Sequence, residues 1–264
     1  MDDPSEKPAA ARPLTIAVLI KQVPDMNAVK IDRASGKPIM SGQQVVSSYD
    51  SYAIEEALLL NERLGGEVVV ISAGPATVKD VIARALAMGA DRGVQIDVPA
   101  IGDLDTLAVA QVLAGAVKEL DADLILVGQT SDDTETGQIG PQLAELLDLP
   151  LVSSVMGVDL NGDRVTVRRD IEDGQQTVET RLPAVLMAIT GLNEPRYPSL
   201  KGIMAAKRKP VERITPSEEP ASSGATWGEP TVPERTVSGT ILNGVPSDDA
   251  AKQLVGWLQE QKII

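Results

Sequence analysis

The chain has 264 residues, 43% of them hydrophobic, enough for one large α/β domain with an appendage or for two modest domains. It contains no Cys and no His, which excludes disulfides, thiol nucleophiles and thiolate metal sites and removes the commonest general base and metal ligand. A formal net charge of −14 argues against a general nucleic-acid or anionic-membrane surface, and no apolar stretch is long enough to span a bilayer.

Residues 1–13, MDDPSEKPAAARP, are charged and Pro/Ala-rich without an apolar centre, and read as a disordered lead-in to a cytoplasmic protein rather than a signal peptide. Leu14 to Ile20 is a continuous apolar run, as expected of a strand covered on both faces, and Pro24 ends its pairing. The segments VKID and PIM flank Arg33 to Lys37 and predict a hairpin. Ser47-Ser48-Tyr49-Asp50 then precedes an amphipathic helix predicted from Ser51 to Leu64, with Glu55 and Glu56 facing water. Glu67 to Ser72 is the next strand. The helix after it ends at Met88-Gly89, where Gly suits a positive φ. Gly93 to Ile96 predicts a strand, Asp103 to Leu120 a long helix, and Leu124 to Val127 a further buried strand.

The loop Gly128 to Thr136 separates that strand from a segment opening at Gly137, whose Ile139, Leu143, Leu146 and Leu147 recur at helical spacing. A strand, a hydroxyl-bearing loop and a helix start can make an anion cradle. Free amides and the macrodipole lie at the helix start, Ser131, Thr134 and Thr136 can donate hydroxyls, and Gly137 permits close approach. An ordinary loop with Thr136 capping the helix fits the same residues. Asp132, Asp133 and Glu135 read as a solvated acidic loop rather than a metal site.

After Pro150 the pattern becomes antiparallel. Val155 to Leu160, Arg164 to Arg169 and Gln176 to Arg181 form a meander with turns at Asn161-Gly162 and Gly174, followed by a buried strand from Pro183 to Ile189. Lys209 to Pro233 is rich in Pro, Ser, Glu and Thr and resembles a linker or arm, and Ser247 to Gln259 predicts a final helix. The fold class is α/β: a doubly wound, mostly parallel sheet, with an antiparallel meander and an extended C-terminal arm. In such sheets ligands sit beyond the carboxyl ends of the strands where the strand order reverses. The loop at Lys21 to Asp25 and the central loop are expected to meet there.

Several segments in order, VLIKQVPD from Val18, YAIEEAL from Tyr52, ALAMGADRG from Ala85, GQIGP from Gly137, Val167 to Ala188 and LNEPRY from Leu192, resemble the small (beta) subunit of electron transfer flavoproteins. The resemblance covers nearly everything from Leu14 to Ile264. It implies that the sheet is of the adenine-nucleotide-binding type. It implies a heterodimer with a larger alpha subunit that holds most of the redox FAD, with AMP, or in electron-bifurcating members a second FAD, in the beta subunit's own α/β domain. It implies electron delivery from acyl-CoA or related flavin dehydrogenases and onward passage to a quinone-reducing acceptor.

By position, the implied nucleotide contacts fall on Leu19, on Ser47, Ser48, Tyr49 and Asp50, on Ala73, and on Gly128, Gln129, Thr130, Ser131, Asp132, Asp133, Thr134, Glu135, Thr136, Gly137, Gln138 and Ile139. Ser47-Ser48 stands where the family usually has Asn-Pro, and Gln129-Thr130 where Lys-Gln is common. Leu200 matches the family's docking leucine, with Tyr197, Ile203 and Met204 around it. The implied division is 1–13 lead-in, 14–192 nucleotide-binding domain, 193–246 recognition loop and extended arm, and 247–264 a helix packing on the partner subunit. No catalytic residue is implied, because the redox chemistry belongs to the cofactor. A stand-alone adenine-nucleotide-binding or sensing domain is the alternative; the lack of a Walker-type Lys-Ser/Thr and of His counts against nucleotide hydrolysis.

Overall fold

The computed structural model describes residues 13–39, 42–216, 223–226, 228, 231–232 and 239–264; the lead-in at 1–12, Met40, Trp227 and parts of the expected arm lie outside them. The chain divides into two compact units, Met1–Pro230 and Thr231–Ile264.

In the first unit the strands are β1 (Leu14–Leu19), β2 (Gln22–Pro24), β3 (Lys30–Ile31), β4 (Pro38–Ile39), β5 (Gln44–Val46), β6 (Gly66–Gly74), β7 (Arg92–Asp97), β8 (Leu124–Gly128), β9 (Leu151–Asn161), β10 (Arg164–Ile171), β11 (Gly174–Arg181), β12 (Ala184–Ala188) and β13 (Val211–Ile214). Its helices are α1 (Ser48–Leu64), α2 (Lys79–Met88), α3 (Thr106–Leu120), α4 (Ile139–Leu147) and α5 (Leu200–Ala206). The main sheet has nine strands in the order β11-β10-β9-β12-β8-β1-β6-β7-β13. From β9 to β13 across this order the strands are parallel, and β10 and β11 extend the sheet as an antiparallel meander.

The apolar runs become central strands because alternate residues serve two cores. Ile16 and Val18 face a cluster containing Ile54, Leu58, Ile82 and Leu86 of α1 and α2. Ala17 and Leu19 face the opposite cluster, with Leu113 and Val117 of α3 and Leu143 of α4. Each fully buried Val, Leu or Ile contributes about 1.5–3 kcal/mol. A polar residue on either face of β1 or β8 would therefore be costly, and the buried runs Ile16 to Leu19 and Leu124 to Val127 contain none. The doubly wound sheet inferred from strand–helix alternation is the fold observed.

The chain leaves β1 for β6 and β7 on one side, then returns to β8 on the other. The order therefore reverses at β1, and the carboxyl ends of β1 and β8 flank the switch point.

Several local expectations need correction. Helix α1 starts at Ser48, so Ser48, Tyr49 and Asp50 form its first turn rather than precede it. Glu55 and Glu56 are buried, not water-facing. The segment at residues 193–196 lies over that side of α1, with Asn193 donating to Glu56 and Arg196 to Glu55. Helix α3 begins at Thr106, because Asp105 accepts from the Ala108 amide as its N-cap and Ile101–Asp103 is a separate 3-10 turn. Within the Lys209 to Pro233 stretch read as a linker, Val211–Ile214 pairs with β7 as an edge strand. The second unit contains α6 (Ser247–Glu260), in which Leu254, Val255 and Trp257 are exposed.

Candidate functional site

A cavity of about 420 Å³ opens at the switch point. Its floor is Leu19 to Gln22 after β1 and Val127 to Ser131 at the end of β8. Ala73 near the end of β6 and Pro75 and Val78 after it contribute a further wall, and Ile101, Leu104, Val109 and Leu113 close an apolar side.

Asp50 ties the floor together. Its carboxylate accepts the Lys21 amide at 2.7 Å and the Gly128 amide at 3.1 Å, joining the ends of two neighbouring strands to the first turn of α1. Burial pushes its pKa up to about 7, opposed by those two amide hydrogen bonds. Protonation of Asp50 is favoured in the folded state, so its contribution is fully present below the unfolded value of 3.8 and is lost as pH rises through about 7. The stability difference between Asp50→Asn and the parent should therefore shift in favour of the variant between pH 4 and pH 7, by on the order of 1 kcal/mol for each pH unit within that window. Urea melts of both proteins across that range check it, and parallel curves would contradict it. Taking the difference removes the opposing, acid-labile contributions of groups such as Asp105 and Asp163, whose hydrogen bonds lower their pKa values.

The central loop is built by its own side chains. The Lys21 ammonium reaches Asp133 Oδ1 at 2.8 Å and Ser131 Oγ at 3.3 Å, and the Ser131 and Thr134 hydroxyls lie 2.9 Å apart. This places a cation beside the loop although Gln129-Thr130 lacks the lysine common there. Gln129 turns away, its side-chain oxygen accepting from the Ser154 amide. Asp132 accepts from the Ser48 amide and hydroxyl, and the Asp132 amide donates to Ser47 Oγ.

Glu135 and Gly137 have positive φ, 49° and 62°, which turns the chain sharply into α4. Gln138, not Thr136, occupies the N-cap position, and no side chain caps the helix. The first intrahelical hydrogen bond described there runs from the Gln142 amide to the Gln138 carbonyl, so the Ile139 and Gly140 amides precede it.

Of the expected nucleotide contacts, Leu19, Asp50, Ala73, Gly128 to Ser131, Asp133, Thr134 and Thr136 to Ile139 all line the cavity. Ser47, Ser48, Tyr49, Asp132 and Glu135 are outside its lining: the first two and Asp132 brace the loop, Tyr49 packs beside Gly128, and Glu135 is exposed. Sequence reasoning missed the apolar side formed by Ile101, Leu104, Val109 and Leu113. The available signal was that this segment also follows a parallel strand, β7, and so reaches the same edge of the sheet.

The site has room and chemistry for a phosphate-bearing ligand. Ser131, Thr134 and Thr136 bring hydroxyls to its lining, and the start of α4, which no side chain caps, lies beside them.

Elsewhere, Tyr197 and Leu200 are 88% and 85% exposed, Met204 62% and Ile203 43%, so each of the expected docking residues is uncovered in this chain. None of the described helices is long and apolar enough to cross a membrane.

The electron transfer flavoprotein domain model matches residues 39–219. The chain is 41% identical over 207 residues to the electron transfer flavoprotein subunit beta of Thermoanaerobacterium thermosaccharolyticum, covering 78% of this chain and 80% of that one. It is 37% identical over 259 residues to the subunit beta of Bacillus subtilis, covering 95% and 100%. It is also 39% identical over 209 residues to the subunit beta of Sus scrofa, covering 78% and 79%.

Proposed function

Because the chain belongs to the electron transfer flavoprotein family, as a small subunit of the beta type, we propose that it carries a structural AMP in the switch-point cavity and completes a flavin-bearing heterodimer with a larger alpha subunit. In this reading the complex is cytoplasmic, takes electrons from acyl-CoA or related flavin dehydrogenases and passes them to a quinone-reducing acceptor. FAD, shared with the alpha subunit, supplies the redox chemistry when bound. The residues of this chain bind, orient and dock.

The observation that carries the nucleotide assignment is the polar wall from Thr130 to Ile139, with the Ser131, Thr134 and Thr136 hydroxyls and the uncapped start of α4, in one cavity with an apolar slot formed by Ile101, Leu104 and Val109. The polar wall suits a phosphate and the slot suits a base. A volume of about 420 Å³ is at the small end of ligand cavities, which favours a mononucleotide over a second FAD. The proposed organisation keeps 14–192 as the nucleotide-binding domain, 193–246 as recognition loop and arm, and 247–264 as a helix covered by the alpha subunit, which accounts for its exposed Leu254 and Trp257.

The test uses Gly137→Val in the co-expressed heterodimer. The position has φ 62°, and a Cβ there would lie 3.4 Å from the Gln129 carbonyl oxygen. The main effect is therefore backbone strain of about 1–2 kcal/mol that pulls the helix start away from its present position. Nucleotide released on denaturation should fall several-fold or more, with the heterodimer still assembled. Full AMP content in the variant would defeat the assignment, and elution of FAD from this chain would replace AMP with the second-FAD alternative. A colourless homodimer without a larger partner would favour the stand-alone nucleotide sensor.

A further inference from the structure

Helix α5 spans seven residues and buries none of them. A helix this short is unstable in water by itself, since nucleation fixes several residues before hydrogen bonding compensates. Apolar packing of its own side chains is limited to the partly buried Ala206. Its hydrogen-bonded anchors lie at both ends.

At the leading end, Arg196 donates from Nε and Nη2 to Glu55 Oε1 at 3.0 and 2.8 Å, and its backbone amide donates to Glu55 Oε2 at 3.0 Å. The Glu55 side chain is 5% exposed, so this pair is shielded from water in a way that the outer Arg196–Glu62 contact is not. Asn193 adds bonds to the Tyr52 carbonyl and to Glu56, both at 3.0 Å. At the trailing end, the Lys209 ammonium donates to the carbonyls of Leu86, Gly89 and Ala90 at 3.1, 2.9 and 2.5 Å. It thus closes the C-terminus of α2, where a cation also meets the negative end of the helix dipole. Between the two anchors, a Cβ on Gly202 would lie 2.3 Å from the Ala87 carbonyl oxygen, so α5 rests backbone-to-backbone on α2.

We propose that Glu55, Arg196 and Lys209 are positioning residues, forming a two-ended clamp that holds α5 in its docking pose before any partner arrives. The clamp rests on the reading of the α5 surface as the docking site. Leu200 is then presented by a helix already ordered, and association avoids the entropy of ordering the segment. The arrangement also explains why two glutamates are buried on a helix face that the local pattern assigns to water. They serve a segment about 140 residues away along the chain.

The experiment uses the full heterodimer with Arg196→Met and Lys209→Met made separately, and Arg196→Lys as the conservative variant. Hydrogen exchange of the amides at residues 203–206 reads the clamp directly. Reduction of the bound flavin by an acyl-CoA dehydrogenase, titrated over dehydrogenase concentration, reads docking. Each Met variant should exchange at these amides about tenfold faster, with strand amides and nucleotide content unchanged, and its half-saturating dehydrogenase concentration should rise about tenfold at unchanged maximal rate. Arg196→Lys should fall between, because one ammonium cannot reproduce the paired guanidinium bonds.

Lys209→Met leaves the half-buried Glu55–Arg196 pair intact, so the proposal stays testable if Arg196→Met fails to fold. Unchanged exchange in Lys209→Met and in any folded Arg196 variant would overturn the clamp. Faster exchange with unchanged half-saturation, while Leu200→Ala does weaken coupling, would overturn its role in docking. Faster exchange together with an inert Leu200→Ala would uphold the clamp and remove the docking reading beneath it.

Discussion

Gly128→Ala is expected to destabilise the chain by roughly 2–4 kcal/mol and to empty the switch-point cavity. A Cβ at this position would sit 2.4 Å from Asp50 Oδ1, 2.8 Å from Tyr49 Cβ and 3.0 Å from the Asp50 amide. Asp50 cannot move aside cheaply, because its carboxylate already accepts the Lys21 and Gly128 amides. Displacing it would leave two backbone N–H groups at the strand ends without their acceptor. The local backbone conformation of Gly128 is not the obstacle, since its φ is not among the positive values. The relevant measurements are the urea midpoint and the nucleotide released on denaturation. A midpoint within experimental scatter of the parent would show that Asp50 is not the strut described.

Leu200→Ala carries the second large effect. Burying a leucine in a partner pocket contributes about 1.5–3 kcal/mol, equivalent to one to two powers of ten in affinity. The side chain is 85% exposed in this chain, so truncation removes almost nothing from the fold. Dehydrogenase-coupled flavin reduction should weaken by about tenfold to a hundredfold, with the melting temperature and flavin content nearly unchanged. A fall in melting temperature of many degrees would mean that Leu200 is packed in the assembled complex. Unchanged coupling with each dehydrogenase tried would move the docking contact elsewhere.

Much of the framework was legible from the sequence because its signals are local. A run such as Leu124 to Val127 is apolar at every position only when both faces are covered, so a central strand follows from the residues alone. Alternation of such runs with helical periods implied the parallel sheet, and the loops after β1 and β8 followed as neighbours of the switch point. The hairpin around Arg33 to Lys37 and the meander with turns at Asn161-Gly162 and Gly174 were similarly legible, from turn residues between strand-forming runs.

What the sequence determined by itself, then, was which segments are central strands, where the parallel sheet gives way to a meander, and which loop forms the polar wall of the cavity. Only the tertiary structure decided that Asp50 struts β1 to β8, that Ile101 and Val109 form the apolar wall, that Val211–Ile214 is an edge strand, and that Glu55 and Glu56 are buried. In each case the deciding partner is distant in sequence: Gly128 for Asp50, β7 for Val211–Ile214, and Arg196 and Asn193 for the two glutamates. Periodicity reports the environment a residue prefers. It cannot report that a guanidinium from about 140 positions away will replace the water a carboxylate would otherwise require.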